Sequence, residues 1–296
     1  MQPLMSTKEV AEYLRLKERK IYDLVAQRTI PHSRVSGKLL FPRVLIDEWV
    51  KKGLAGNLVI SSRNAPAVIA GSSDPLLEWA IRESRCGLAS MTYGSSDGFH
   101  RLIAGEACAA AIHLPSTHSL FGEQPNQAAA KNRLGHLDCV LLRWAEREQG
   151  LVVAPNNPKK IRAILDLKRK GVKTIARQPG AGSYLLLLEL LNGQAIASES
   201  LHYVQPIAQT ESDIAMAILD GRADAGLAVR AVAQQFHLEF IPLAKEHLDI
   251  AVLRASYFDT PMQKLFDFAK TTQFKRFVKS LAGYDVSELG AVLWNA

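Results

Sequence analysis

The sequence has few cysteines and lacks any apolar run long enough to form a transmembrane helix. Its three cysteines, Cys86, Cys108 and Cys139, form no CxxC pair, which argues against a disulfide framework and a cysteine-bound metal. No apolar stretch approaches the roughly 20 residues that span a bilayer. The first residues also lack the basic segment and apolar stretch of a secretory signal. We therefore expect a cytoplasmic protein with reduced cysteines and no membrane contact.

Two common signatures of enzymes are missing as well, since there is no GxxxxGK[ST] loop and no HExxH motif. The segment 180–183 (GAGS) departs from GxGxxG. His113 and His118 could act in catalysis, but histidines near a strand end more often support structure or touch a ligand. We therefore predict a protein that is not an enzyme and holds no cofactor or metal. An enzyme or a solute-binding protein built on the same α/β module is the alternative.

Positive charge is concentrated at the start of the chain. Residues 1–53 hold 11 of the 36 Lys and Arg residues but only 6 of the 29 Asp and Glu residues, so they carry +5 of the net +7. The other residues are nearly balanced. A small basic segment joined to a large neutral one indicates a polyanion-binding module followed by a module for a small molecule.

The basic segment has the pattern of a helix-turn-helix. Ser6-Thr7-Lys8-Glu9 is a capping box that predicts the start of a helix, and a second helix is expected from about Glu18 to Gln27. A hairpin over residues 30–42, turning at Ser36-Gly37, and a third helix over 43–52 follow. In such a module the second helix enters the major groove. The candidate DNA contacts are Arg19, Lys20 and Tyr22 on that helix and Arg34 and Lys38 near the hairpin tip.

Residues 4–52 resemble the excisionase-like, MerR-related winged-helix DNA-binding domain. The resemblance lies in the order and spacing of STKEVAEYL (6–14), RKIYDLV (19–25), IP (30–31), RVSG (34–37) and DEWV (47–50). It implies that the partner is double-stranded DNA; a basic domain that docks on protein is the alternative. Arg15 stands where the family usually has glycine. Because a left-handed residue other than glycine costs about 1 kcal/mol, we expect a wider turn there.

Beyond a linker at residues 54–66, strand–loop–helix units recur. Strands are expected near 67–70, 88–91, 109–114 and 174–176, with helices between them, which predicts an α/β fold with mostly parallel strands. Ligand sites in such sheets lie beyond the carboxyl ends of the strands. Three loops rich in glycine and serine each open a helix, and helix N-termini attract anions. The loops therefore favour a small anion or polar ligand.

Residues 66–290 resemble the type II periplasmic-binding-protein fold, in particular bacterial regulator domains akin to molybdate-binding proteins. The resemblance lies in GSSDPLL (71–77), GSSDG (94–98), LIAGEA (102–107), RQPGAGS (177–183), GRADAGL (221–227) and GYD (283–285). It implies two lobes that close on a ligand, lobe one over 67–148 and 254–296 and lobe two over 156–245. The chain would cross between them near 151–155 and 248–253.

The same resemblance implies an oxyanion such as molybdate or tungstate, held by hydroxyls and main-chain amides. Asp74, Asp97 and Asp224 lie near the proposed loops, so either these carboxylates cap helices or the ligand carries a cationic or hydroxyl group. We therefore expect the chain to be a ligand-responsive transcription regulator. We expect it to act as a homodimer, because palindromic DNA sites require two-fold symmetry. The candidate ligand residues are Ser72, Ser73, Ser95, Ser96, Arg177, Ser183 and Asp224.

Overall fold

The computed structural model describes residues 4–27, 29–35, 37–52, 65–115 and 124–296. Their contacts divide the chain into two compact units, residues 1–58 and 59–296. Most of the predicted linker, the hairpin residue Ser36 and the candidate His118 lie outside the described residues. Within the described parts of the chain, no helix is both long and apolar enough to cross a membrane.

The described residues of the first unit form three helices and a three-stranded antiparallel sheet. Strand β3 lies in the middle of this sheet, between β1 and β2. The helices pack around a core that includes Ile21, Phe41 and Ile46, all fully buried. The elements are β1 (Leu4–Met5), α1 (Thr7–Leu14), α2 (Glu18–Ala26), β2 (Ser33–Val35), β3 (Lys38–Pro42) and α3 (Arg43–Lys52).

Local signals account for the start and the end of helix α1. The predicted capping box is present: Ser6 N–H donates to Glu9 Oε2 at 2.7 Å, and Glu9 N–H donates to Ser6 Oγ at 3.3 Å. The predicted wider turn after α1 is wrong. Arg15 itself adopts the left-handed conformation, with φ 54° and ψ 37°, and ends the helix as glycine would. The tight helix-turn-helix geometry is thus kept despite the strain at Arg15.

In the second unit, residues 65–115 and 124–296 form one ten-stranded sheet with helices packed against it. Its main path runs β5-β4-β6-β11-β7-β10-β8-β9, and β12 and β13 pair with β7. The strands are β4 (Val68–Gly71), β5 (Ala89–Met91), β6 (Ala109–Ile112), β7 (Cys139–Val153), β8 (Lys173–Ile175), β9 (His202–Tyr203), β10 (Ala225–Val229), β11 (Glu239–Leu253), β12 (Tyr284–Asp285) and β13 (Val292–Asn295).

The sheet has a lobe at each end. Strands β4, β5 and β6 are parallel in lobe one, and β8, β9 and β10 are parallel in lobe two. The mixed α/β class predicted from the sequence is confirmed. The helices of lobe one are α4 (Pro75–Ser84), α5 (Ser95–Ala104), α6 (Pro125–Leu134), α10 (Arg254–Tyr257), α11 (Thr260–Ala269) and α12 (Thr272–Ser280); those of lobe two are α7 (Gly182–Gly193), α8 (Glu211–Leu219) and α9 (Arg230–Gln235).

Two 15-residue strands, β7 and β11, connect the lobes. They pair antiparallel from Glu239 opposite Val153 to Leu253 opposite Cys139. Residues of β7 up to Ala145 pack in the core of lobe one, and residues from Leu151 onward pack in lobe two. On β11 the change falls between residues 244 and 248. Both crossings therefore lie a few residues earlier in the chain than predicted. The segments predicted to connect the lobes, 151–155 and 248–253, overlap the carboxyl ends of the continuous strands β7 and β11.

Candidate functional site

The carboxyl ends of the parallel strands meet where the two lobes face each other. Ser72 follows β4 and His113 follows β6 in lobe one, while Arg177 follows β8 in lobe two. All three side chains are at least 95% buried. This edge of the sheet is where ligands bind in parallel α/β folds.

Two serines and a histidine form a hydrogen-bonded cluster on the lobe-one side. Ser72 Oγ and Ser95 Oγ are 2.8 Å apart, and Ser72 Oγ lies 3.0 Å from His113 Nδ1. Ser95 Oγ donates to the carbonyl of His113 at 2.8 Å and accepts from its backbone N–H at 3.1 Å. The imidazole is therefore fixed by its main chain and by its ring.

Arg147, in the middle of β7, carries the buried positive charge beside this cluster. Its guanidinium donates to Asp74 Oδ2 at 2.8 Å, to Glu246 Oε1 at 2.6 Å and to His113 Nδ1 at 2.9 Å. Burial opposes its charge, but Glu246 and Asp74 outweigh burial and raise the pKa of Arg147. Burial and the charges of Arg147 and Arg177 lower the pKa of His113, so this imidazole is neutral.

The carboxylates of the cluster are all held by donors. Asp74 accepts from Leu77 N–H at the start of α4, from Arg147 and from the hydroxyl of Tyr284. Gln149 Nε2 donates to Glu246 and to Glu211, each at 3.1 Å. Glu211 also accepts from a backbone N–H of β10, so the network extends from lobe one through the crossing strands into lobe two.

Two helix starts face each other across the lobes without a side-chain cap. Helix α5 begins at Ser95 after Gly94, and α7 begins at Gly182 after Ala181; neither preceding residue caps its helix through a side chain. A methyl group on Gly94 would lie 2.8 Å from the carbonyl oxygen of Gly180, so the lobes are in direct contact here. Both helices start earlier than predicted, which places the serines expected in loops on the first turns of helices.

The predicted ligand residues are mostly brought together. Ser72 and Ser95 join the cluster; Ser96 lies against Gly180 of the other lobe. Ser183 is 2% exposed, and its hydroxyl has no hydrogen-bond partner among the residues with described positions.

Three predicted ligand residues have structural partners of their own. Ser73 donates to Glu78 at 2.7 Å, and Arg177 donates to the carbonyl of Gln209 at 2.8 Å while burial lowers its pKa. Asp224 does not join the others. It lies just before β10, where it accepts from the backbone N–H of Lys173 at the amino ends of β10 and β8. That is the edge of the sheet opposite to Arg177 and Ser183.

Sequence reasoning missed the residues of the crossing strands. Arg143, Arg147 and Gln149 are buried on one face of β7, whereas Glu146 and Glu148 are only partly buried. In the sequence these three residues stand in the segment RWAEREQ (143–149), where Glu146 and Glu148 are also charged, so no alternation of polar and apolar residues marks the buried face. Their partners on α4, α8 and β11 could not be predicted from this segment.

A cavity of about 440 Å³ opens beside the cluster and is bounded by both lobes. Helices α4 and α12 form its lobe-one wall, and α8 and α9 form its lobe-two wall; Ser73 and Glu211 line it. The described residues contain no group of three or more His, Cys, Asp or Glu side chains that could hold a metal ion. Of the predicted ligand residues, all of which the structure describes, only Ser73 lines this cavity.

The first unit carries a groove of about 450 Å³ between its helices and its hairpin. Tyr22, Arg34 and Lys38 line this groove together with Lys8 and Thr7. Arg19 and Lys20 are exposed on α2 but do not line it. Lys20 lies two residues before Tyr22, which is about 160° around the helix, so the two side chains point to different flanks.

The fold and the site together define a two-lobed ligand-binding domain that follows a helix-turn-helix domain. Residues 78–270 match the PBP superfamily domain, and residues 4–53 match a helix-turn-helix domain. The chain belongs to the PBP superfamily, the periplasmic-binding-protein superfamily. The resemblance seen in the sequence is confirmed, and the architecture is that of a ligand-binding, DNA-binding regulator.

One curated protein is similar along nearly the whole chain, and solved structures are similar to its larger part. The uncharacterized protein YvgK of Bacillus subtilis is 25% identical over 96% of both chains. A phosphate ABC transporter substrate-binding protein with bound phosphate from Clostridium perfringens superimposes with a TM-score of 0.56 at 14% identity, covering 74% of this chain and 99% of that one. The regulatory domain of MetR, a LysR family regulator from N. meningitidis, gives a TM-score of 0.48 at 12% identity, covering 74% and 96%.

Proposed function

We propose that this chain is a cytoplasmic transcription regulator that acts as a homodimer and senses a small oxyanion between its two lobes. Molybdate and tungstate are the first candidates, and phosphate is included because the similar substrate-binding protein from Clostridium perfringens holds it. The first unit would bind double-stranded DNA, and no cofactor is required. The cytoplasmic location follows from the proposed action on DNA.

The proposal that the ligand is an oxyanion rests on one observation: hydrogen-bond donors from both lobes lie close together. The first turns of α5 and α7 lack side-chain caps, and the buried hydroxyl of Ser183 has no partner among the described residues. Free amides and the helix dipole at such starts favour negative charge. An anion placed there would accept from both lobes and hold them together.

The nearby carboxylates do not oppose this reading. Asp74, Glu211 and Glu246 each accept at least two hydrogen bonds from protein donors, and Arg147 forms ion pairs with Asp74 and Glu246. Asp97 is paired with Arg101 at 2.7 Å. The first of the two alternatives left open by the sequence, carboxylates in structural roles, is thus favoured.

Ligand would control DNA binding by stabilising the closed arrangement of the lobes. A ligand shifts such an equilibrium only by the difference in its affinity for the two states. An oxyanion that contacts both lobes would bind the closed form more tightly than the open form, because the open form would leave its contacts with one lobe unmade.

Thermal unfolding in the presence of molybdate, tungstate, phosphate, sulfate and chloride tests the proposal. We expect at least one oxyanion to raise the Tm with a saturating concentration dependence, whereas chloride leaves it unchanged. If none of the four oxyanions raised the Tm, the oxyanion assignment would be wrong.

Substitution of Ser183 makes the same test specific to the site. Ser183→Ala removes one donor to a charged ligand and should weaken binding by about 10- to 100-fold in calorimetry. Ser90→Ala, at an exposed position of β5, is the matched control and should bind as the wild type does.

A further inference from the structure

The cavity of about 440 Å³ between the lobes has an acidic lining. Glu78 of α4 lines it from lobe one, and Glu211, the first residue of α8, lines it from lobe two. Arg82 is the one basic side chain that the described residues contribute to the lining, and it is largely exposed and pairs with Glu83 at 3.6 Å. The cavity therefore presents two carboxylates to a ligand against one guanidinium, which has a partner of its own.

Within the part of the chain that the structure describes, the two carboxylates are held by hydrogen-bond donors that carry no charge. The hydroxyl of Ser73 donates to Glu78 at 2.7 Å. Gln149 Nε2 donates to Glu211 Oε1 at 3.1 Å, and the backbone N–H of Val229 donates to Glu211 Oε2 at 2.9 Å. Because each carboxylate oxygen can accept two hydrogen bonds, both side chains can accept further donors.

Negative charge is unfavourable inside this cavity. Glu211 is only 4% exposed. Glu78 is exposed as a residue, but loss of water around its carboxyl group raises its pKa, and the charges of Asp74 and Glu211 act in the same direction. Arg147 and Arg177 attract Glu211, but neither of them lines the cavity. A cationic group in contact with both glutamates would remove this cost, because an opposite charge favours the ionised carboxylate.

The other walls of the cavity suit the carbon chain of a ligand. Trp79 and Phe277 line it from lobe one, and their rings stack with centroids 3.7 Å apart and an angle of 10° between the planes. Gln234 of α9 joins the lobes at this cavity: its Nε2 donates to the carbonyl of Ser280 at 3.1 Å, and its Oε1 accepts from the N–H of Ala282 at 2.8 Å. A ligand in this cavity would therefore contact both lobes.

We propose that this cavity is a second binding site, which takes a small organic cation with its ammonium or guanidinium group between Glu78 and Glu211. The site is separate from the starts of α5 and α7, where the oxyanion is proposed to bind, and does not depend on that proposal. A cation that contacts both glutamates links α4 of lobe one to α8 of lobe two. It would therefore stabilise the closed arrangement of the lobes.

Thermal unfolding of the full-length chain at constant ionic strength tests the charge of the ligand. The probes are putrescine, agmatine and arginine; the matched control is butanediol, which has the carbon chain of putrescine without its charges. We expect at least one of the three cations to raise the Tm with a saturating concentration dependence, whereas butanediol leaves it unchanged. If none of the cations raised the Tm, or if butanediol raised it as much, the assignment of a cation site would be wrong.

Calorimetry with the cation that raises the Tm most tests the two glutamates. Glu78→Gln and Glu211→Gln each remove one of the charges that contact the cation and should weaken binding by about 10- to 100-fold. Glu239→Gln, exposed on β11 and not part of the cavity lining, removes the same charge and should bind as the wild type does. Wild-type affinity in Glu78→Gln would overturn the site, because the cation would then bind elsewhere.

The cation site and the oxyanion site can fail separately. A Tm raised by an oxyanion but by none of the three cations would overturn the cation site and leave the oxyanion proposal standing. The reverse result would end the oxyanion proposal and leave the cation site standing. Because Glu78 is exposed on α4, we expect Glu78→Gln to fold, so this variant decides the site even if Glu211→Gln does not fold.

Discussion

Single residues without a side chain determine how closely the two lobes approach. Gly182 lies against the ring of His113, and Gly94 lies against the main chain of Gly180. The sequence marked both glycines as parts of turn-rich loops, since glycine is favoured where strands lead into helices. It could not show that the space they leave is filled by a residue of the other lobe, because that depends on contacts between distant segments.

Gly182→Ala should therefore weaken ligand binding. Its methyl group would lie 1.9 Å from His113 Nε2, so the start of α7 must move away from the ring. Such overpacking costs about 1–3 kcal/mol, and we expect molybdate affinity in calorimetry to fall by about tenfold or more. Gly193→Ala, with nothing within 4 Å of the added methyl, should bind as the wild type does; equal affinities for both variants would contradict the closed contact.

His113 should make the stability of the domain depend on pH. Burial, Arg147 and Arg177 lower its pKa well below the usual 6.5, so below pH 6.5 the unfolded chain binds a proton that the folded chain does not. The free energy of unfolding therefore falls as the pH is lowered, by about 1.4 kcal/mol per pH unit for one such group, and this contribution is fully present above pH 6.5.

Urea unfolding at about pH 7.5 and about pH 5.5 measures this dependence. His113→Gln should lose less stability between the two pH values than the wild type, although Arg147, Arg177, Glu246 and Asp74 still surround the position. His100→Gln should follow the wild type. A His113→Gln variant with the same pH dependence as the wild type would show that this histidine does not titrate as described.

At the scale of elements, the hairpin and helix α2 form one basic groove. Tyr22, Arg34 and Lys38 line it, although they come from segments more than ten residues apart. The sequence predicted each of these elements because caps, turns and apolar spacing are local signals. It also proposed Arg19 and Lys20, which are exposed on the same helix but outside the groove. Which flank of a helix faces a neighbour is decided by packing.

Arg34→Ala combined with Lys38→Ala should weaken DNA binding and make it less dependent on salt. If each side chain neutralises one phosphate, the slope of log K against log salt should fall by about 2. Binding is measured by fluorescence anisotropy on a duplex selected by the wild-type chain from a random-sequence pool. Lys275→Ala with Lys279→Ala, exposed on α12, is the control; an unchanged slope in the Arg34 and Lys38 variant would contradict the groove as the DNA site.

The crossing strand β7 should tolerate little change at Arg147. Removing one partner of a buried ion pair leaves unpaired charge, which costs about 3–5 kcal/mol. Arg147→Met should therefore lower the free energy of unfolding in urea by about that amount, because Asp74 and Glu246 lose their shared partner. Arg169→Met removes the exposed pair with Asp166 and should cost about 1 kcal/mol or less. Similar losses for both variants would mean that the buried network contributes little.

At the scale of the whole molecule, a helix-turn-helix domain and a periplasmic-binding-protein domain lie in one chain. The proposed regulator requires that the two binding events be coupled. Coupling between two ligands is reciprocal: if the anion changes DNA affinity by some factor, DNA must change anion affinity by the same factor.

Calorimetry of molybdate binding, with and without a saturating concentration of the duplex selected by the wild-type chain, should measure this factor. We expect it to equal the factor by which molybdate changes DNA affinity in anisotropy, about 5- to 150-fold. Anion binding that is unaffected by DNA would leave the two domains as independent binders. Sedimentation of the full chain, with and without duplex, tests the proposed homodimer in the same samples.

Local structure could be predicted from the sequence: the capped helix at Ser6, the recurring strands and helices, and the basic first segment. These follow from residues close together in the chain, where caps, turns and periodicity act. The centre of the site depends on contacts between distant segments. Arg147 pairs with Asp74, 73 residues away, Asp74 accepts from Tyr284, 210 residues away, and the ring of His113 packs against Gly182. Buried polar groups must find partners wherever the fold supplies them, and such partners leave no local pattern in the sequence.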